Sequence, residues 1–221
     1  MEIVRVVDLS REIDGNTVVY PGDPVPHLEQ HSTVASDGFN LMSVQMGSQS
    51  GTHVDAPYHF DDNTLRIDEI PLNRFVGRGV VVDCTSVGAR ERITLGSVGG
   101  QLDGVRPGDI VLFHTDWARH YQSPQYFDNP FLDSELVRSL LSRGVLTFGL
   151  DALNIDETPT DEKPGEGFPA HHLIAQAGGV ICENLCNLEN ITFADPFISI
   201  LPLKFIGIDG APVRAVAMEM R

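Results

Sequence analysis

Four short, nearly continuous apolar runs constrain the fold of this chain more than any other feature: residues 79–84, 110–114, 145–150 and 180–183. A strand with one wet face alternates apolar and polar residues. A run without alternation is what a strand covered on both faces requires. Helical patterns lie between and beside these runs. Over residues 133–143, Leu136, Val137, Leu140 and Leu141 fall at helical spacing, with Asp133 or Ser134 as the cap and Gly144 as the stop. Pro169 suits the first turn of a second helix over 170–177, ended by Gly178 and Gly179. Residues 93–102 read as a shorter helix capped by Thr94. Strands alternating with a few helices predict an α/β fold. No linker divides the 221 residues, so a single domain spanning 1–221 is expected.

The remaining segments carry weaker signals. Strands are expected over residues 3–9 and 16–20, the second closed by the Pro21-Gly22-Asp23-Pro24 turn. Residues 25–39 are polar and favour no element. Residues 41–46 alternate and read as a strand feeding the segment that follows. Residues 156–167, rich in Asp, Glu, Pro and Gly, read as a surface loop. Residues 197–208 and 213–218 read as strands joined by an Asp209-Gly210 hairpin turn.

Composition narrows the partners. The net charge is −16 and the pI about 4.7, which argues against nucleic acid or an anionic membrane surface, since both attract basic patches. The acidity reads as solubility. No apolar run reaches spanning length, and the first residues lack the basic-then-apolar pattern of a secretion signal. The three cysteines, Cys84, Cys182 and Cys186, form no CxxC pair. Reduced thiols and a cytoplasmic location are therefore expected. Cys182 adjoins Glu183 but faces the other side of the strand, as a small buried hydrophobe.

The chemistry concentrates in residues 50–60, Ser-Gly-Thr-His-Val-Asp-Ala-Pro-Tyr-His-Phe. This run reads as a strand end entering a proline turn. Alternate side chains on a strand share a face, so His53 and Asp55 point the same way, about 7 Å apart at their backbones. An imidazole and a carboxylate on one face can hold a hard or borderline divalent cation. Pro57 ends the ladder because it has no N–H to donate. His59 follows on the turn, free to act as an acid–base group. Other catalytic templates are missing: there is no Gly-x-Ser-x-Gly elbow, no phosphate-binding glycine loop and no zinc-finger cysteine pattern.

The run Gly51-Thr52-His53-x-Asp55-x-Pro57-x-His59 resembles the signature His-x-Gly-Thr-His-x-Asp-x-Pro-x-His of the cyclase-like metal hydrolases. That family includes bacterial kynurenine formamidase, isatin hydrolase and a trans-dienelactone hydrolase. Only the first position differs, where this chain has Gln49. Tyr20 to Pro24 resembles the family's N-terminal turn. His171, with Glu183-Asn184-Leu185, resembles its second metal-site segment.

The resemblance implies a swivelling β/α/β-type fold with a mixed sheet. It also implies a divalent metal, zinc or manganese, held by His53, Asp55, Glu183 and His171. His59 is then the base that takes a proton from water and returns it to the leaving group. The implied substrate is a small N-formyl or cyclic amide, with isatin- or dienelactone-type ring opening as the alternative. A homodimer or homotetramer is the implied assembly.

Other residues take lesser roles in this reading. His172 projects about 100° around the helix from His171 and is expected at the surface or behind the ligands. Trp117 and Phe113 are candidates to wall a pocket. His27, His31 and His120 read as solvated, and His114 and Asp151 as hydrogen-bonded groups at strand ends. Gln49 shares parity with His53 and Asp55, so it is expected to face the site. Its amide oxygen is a poorer zinc ligand than imidazole, which predicts one tight metal rather than two. A reading from another class, a non-catalytic metal- or small-molecule-binding protein on the same fold, has no use for a free His59.

Overall fold

The computed structural model describes residues 2–221. Its strands are β1 (Ile3–Asp8), β2 (His27–Ser32), β3 (Leu41–Gln45), β4 (His53–Asp55), β5 (Val76–Asp83), β6 (Arg92–Ile93), β7 (Ile110–His114), β8 (Phe131–Leu132), β9 (Thr147–Leu150), β10 (Val180–Glu183), β11 (Phe197–Ser199), β12 (Gly210–Pro212) and β13 (Val216–Met220). The helices are α1 (Val34–Asp37), α2 (Leu95–Val98), α3 (Ser134–Ser142) and α4 (Pro169–Gln176). Nine strands form one sheet in the order β1-β13-β11-β5-β7-β9-β10-β4-β12. The four apolar runs are its adjacent central strands β5, β7, β9 and β10, mutually parallel, and every other pairing within this sheet is antiparallel. Pairing of β1 with β13 ties the chain's beginning to its end, so the expected α/β domain with a mixed sheet is what forms.

Both faces of the central strands are covered, as the unbroken apolar runs require. Val111 and Phe113 of β7 point into a core shared with Leu136, Val137 and Leu140 of α3 and Ile174 of α4. Ile110 and Leu112 point the other way, toward Leu9, Val54, Phe75 and Ile198. The α3 ends are as expected: Asp133 accepts the Glu135 N–H, and Gly144 takes the left-handed φ of 83° that stops the helix. Thr94 caps α2.

Five expectations change. Residues 16–20 form no strand, and the unassigned 25–39 stretch holds β2 and α1. The strand at 41–46 exists as β3, but it pairs only with β2 in a separate ribbon, exposed along nearly its whole length, and a turn separates it from β4. The strand expected at 197–208 stops at Ser199, before Pro202, which has no N–H to continue a ladder. Asp209-Gly210 is not a hairpin turn: β12 crosses to the far edge of the sheet and pairs with β4, while β13 pairs with β11 and β1.

Candidate metal centre

Strand parity builds the floor of a cavity. Val54 enters the core opposite the long helices, so His53 and Asp55 face the side that carries α4. Glu183, the last residue of β10, pairs directly with His53 across the ladder. Its neighbour Cys182 points to the other core, as expected. One ligand atom from each of His53, Asp55 and Glu183 lies within 4.8 Å of the others. His171 reaches the same carboxylates from the first turn of α4, its Nε2 lying 3.5 Å from Asp55 Oδ2 and 3.5 Å from Glu183 Oε1. All four side chains are buried. The carboxyl ends of parallel strands in an open α/β sheet are where such clefts form.

Hydrogen bonds fix both imidazoles. His53 Nδ1 lies 2.9 Å from the Gly51 carbonyl, which can only accept, so Nδ1 carries a proton and Nε2 faces the cavity. His171 Nδ1 donates to Asp156 Oδ2 at 2.7 Å. The same Asp156 carboxylate accepts the backbone N–H groups of Ala170 and His171. It thereby caps α4, whose own N-cap residue Phe168 offers no side-chain acceptor. One buried acid starts the helix and aims its histidine.

This donor set fits a divalent cation. Two carboxylates meet in a buried site, and neither Lys nor Arg is among the residues lining the cavity. Asp55 Oδ1 is buried without a hydrogen-bond partner. Two imidazole Nε2 atoms face carboxylate oxygens 3.3 to 3.7 Å away, an arrangement that repels unless a proton or a cation sits between. The protonation tendencies express that demand. Burial pulls the His53 pKa down, but Asp55 and Glu183 outweigh it and hold it at about 9. His171 is likewise raised: burial opposes the charge, and Asp156, Asp55 and Glu183 prevail. Burial works to raise Asp55, and the two imidazoles bring it well below the usual carboxylate range. Two nitrogens and two carboxylates suit a borderline divalent cation.

The rim is built differently. His59 lies in the turn Pro57–His59 with 31% of its side chain exposed, and its Nδ1 is 3.0 Å from Asp209 Oδ2. Gln49 Nε2 donates to the same oxygen at 2.9 Å, and Ser48 Oγ donates to Oδ1 at 2.9 Å. Burial tends to raise Asp209, yet these three partners hold it at about 2. His59 is raised, with burial opposed by Asp209 and by the charge of Asp55. Gln49 thus reaches the cavity as expected, though not by strand parity, since residues 46–52 form no strand.

The cavity holds about 200 Å³, and Tyr20, Phe60 and Phe168 supply its aromatic wall. The Phe60 and Phe168 rings are 5.5 Å apart. The expected walls are elsewhere: Phe113 is in the core, and buried Trp117 donates its indole N–H to the Tyr126 carbonyl. His172 is exposed, its ring edge-on to Phe60 at 5.2 Å. His120 packs against Trp117 rather than standing free in solvent. His27 and His31 are exposed, and Asp151 accepts from the Thr115 N–H and hydroxyl at a strand end. Asp156, Asp209 and the aromatic wall are the site residues that sequence reasoning missed. Each wall residue stands in or beside a segment singled out for another reason: Tyr20 opens the Tyr20–Pro24 turn, Phe60 ends the 50–60 run, and Phe168 precedes Pro169.

Known proteins are similar to this chain along nearly their full length. The chain is 34% identical to a kynurenine formamidase of Salinibacter ruber over 98% of both chains. It is 28% identical to a kynurenine formamidase of Geobacillus thermodenitrificans over 97% of both. Its fold superposes on isatin hydrolase A of Labrenzia aggregata, bound to benzyl benzoate, with a TM-score of 0.87 and 26% identity, covering 98% of this chain and 94% of that one. The Cyclase family model matches residues 7–157, which contain the entire Gly51-to-His59 run. With a 34% identical relative aligned over 98% of both chains, and with His53, Asp55 and His59 of the matched run lining one cavity, the chain belongs to the Cyclase family.

Proposed function

We propose that this metal-dependent amide hydrolase holds a single divalent cation through His53, Asp55, His171 and Glu183 and cleaves a small N-formyl or cyclic amide, an N-formylkynurenine-type arylformamide before others. The observation that carries the reading is the buried pair Asp55 and Glu183, with both imidazole Nε2 atoms turned toward it and neither Lys nor Arg in the cavity wall. Full-length similarity to two kynurenine formamidases supports the formamide. The bound ion supplies positive charge that acidifies a water and polarises the scissile carbonyl. Zinc and manganese both suit the donors.

The chain's own groups do the rest. Phe60, Phe168 and Tyr20 offer flat apolar surface for an aryl ring. His59, above the floor, accepts the proton that water loses as its oxygen bonds to the carbonyl carbon. It gives that proton to the amide nitrogen as the C–N bond breaks, so acid and amine leave. The fold likeness to isatin hydrolase A favours isatin as the second substrate to try.

Assembly and location follow as parts of the same reading. The β2–β3 ribbon leaves Leu28, Leu41, Met42 and Val44 each at least 40% exposed. A two-stranded ribbon is marginal alone, which supports a homodimer or homotetramer. The three cysteines are buried and free, which supports the cytoplasm. No described helix is long and apolar enough to cross a membrane. The test of function is turnover of N-formylkynurenine, formanilide and isatin by metal-free protein reloaded with zinc or manganese. Metal-restored hydrolysis of a formamide is expected, and inactivity toward all three with either metal would overturn the substrate class.

A further inference from the structure

We infer that Asp209 is a positioning residue that acts through His59, and that Gln49, where the family signature has histidine, serves Asp209 rather than the metal. The inference builds on the acid–base role proposed for His59. Asp209 stands immediately before β12, and β12 pairs with β4, so the sheet itself brings the carboxylate beside the turn that follows β4. Three donors converge on that carboxylate. His59 Nδ1 and Gln49 Nε2 share Oδ2 at 3.0 and 2.9 Å, and Ser48 Oγ takes Oδ1 at 2.9 Å.

The geometry fixes the imidazole. Gln49 Nε2 lies 3.4 Å from His59 Nδ1, but an amide NH₂ cannot accept a proton. The Nδ1 proton therefore goes to Asp209. That leaves Nε2 unprotonated and, among the described residues, without a protein partner, on the nitrogen that can take a proton from water. When it does, the imidazolium lies against a carboxylate that stays ionised. This is the orienting role an acid plays behind a histidine base.

The Gln49 amide cannot turn freely. Its NH₂ must face the Asp209 oxygen, since turning Oε1 there would set two acceptors together. Residue 210 has to be glycine for this packing: a Cβ there would come within 2.7 Å of Gln49 Nε2 and 2.6 Å of the Val54 carbonyl. Gln49 is thus committed to the Asp209 carboxylate, and its place in the signature serves the base.

A double-mutant cycle tests this. In the metal-loaded enzyme, His59→Ala should lower kcat by about 10²–10⁴-fold for the loss of an acid–base group, and Asp209→Asn should lower it by at least about 10²-fold. KM and metal content should stay within about twofold, and the double variant should be no slower than His59→Ala alone. Gln49→Leu should give a smaller kcat loss of the same kind. Multiplying losses, or loss of metal from Asp209→Asn, would overturn the inference. A second readout needs no turnover. Long-range ¹H–¹⁵N spectra of metal-free protein should show His59 protonated at Nδ1, and Asp209→Asn should lose that preference. A native spectrum with the proton at Nε2 overturns the inference. Full activity of His59→Ala would instead refute the acid–base role on which it builds.

Discussion

The floor and the rim of this cavity solve opposite problems. The floor puts His53, Asp55, His171 and Glu183 on two strands and a helix, all buried, with one carboxylate oxygen left unpartnered. The rim puts His59, Asp209, Gln49 and Ser48 on turns, partly exposed, with the Asp209 carboxylate fully engaged. The floor leaves a carboxylate oxygen of Asp55 for an ion to meet, whereas the rim satisfies its carboxylate with protein donors and leaves only the neutral Gln49 amide oxygen buried without a partner. In the proposed reading, rigid elements hold the metal ligands and turns hold the acid–base group. Floor and rim variants should therefore fail differently.

The largest effect is expected at the floor. Asp55→Ala should abolish metal binding and turnover together, because Asp55 lies within salt-bridge range of both His53 and His171. Elemental analysis of the purified variant checks this. Full metal content would place the ion elsewhere and erase the distinction between floor and rim. The rim should show the converse. His59→Ala should keep its metal and lose turnover by about 10²–10⁴-fold. A metal-free His59→Ala protein would move this residue to the floor.

Legibility in the sequence divides along the same line. The central strands could be read because burial on both faces leaves an unbroken apolar run, and β7 and β10 begin and end where their runs do. His53 and Asp55 could be read because strand parity is local. Asp156 could not. It is one acid among Glu157, Asp161, Glu162 and Glu166, and nothing in the sequence says that it alone folds inward to cap α4. Asp209 was hidden by its own neighbour, since Asp-Gly reads as a hairpin turn. Its true place depends on β12 pairing with β4, some 150 positions away along the chain, and such pairing leaves no local trace. Tyr20, Phe60 and Phe168 gave only the signal of position, each in or beside a segment read for other reasons.

An intermediate effect is expected from Asp156→Asn. The side chain touches no substrate, but it fixes the tautomer of His171 and holds the start of α4. An amide can still accept one backbone N–H, so the helix should remain while the imidazole loses its anionic partner. Metal affinity should fall by about 10- to 100-fold, the usual consequence of losing a carboxylate behind a ligating histidine. Competition with a chelator measures it. An unchanged affinity would mean that His171 does not ligate and the floor is His53, Asp55 and Glu183 alone.

The smallest effect on the existing site, and the sharpest test of the boundary between the regions, is Gln49→His. In the native chain the residue 49 side chain binds Asp209 and lies 3.4 Å from His59, on the rim. Its neutral amide is a weak ligand for zinc, whereas imidazole is a strong one. Calorimetric titration of the native protein should give one tight equivalent of zinc per chain. Two would show that the floor and rim together already form a two-metal site. Gln49→His should leave the first equivalent within about tenfold of its native affinity, because none of the four floor residues is altered. A second equivalent should appear if the new ring, His59 and Asp209 can turn together toward an ion. The cost would show in catalysis, since the Asp209 carboxylate would lose a donor and His59 its fixed orientation. A second tight zinc with slower turnover would locate the boundary between metal binding and proton transfer at residue 49. A single zinc with native turnover would mean that residue 49 belongs to neither region.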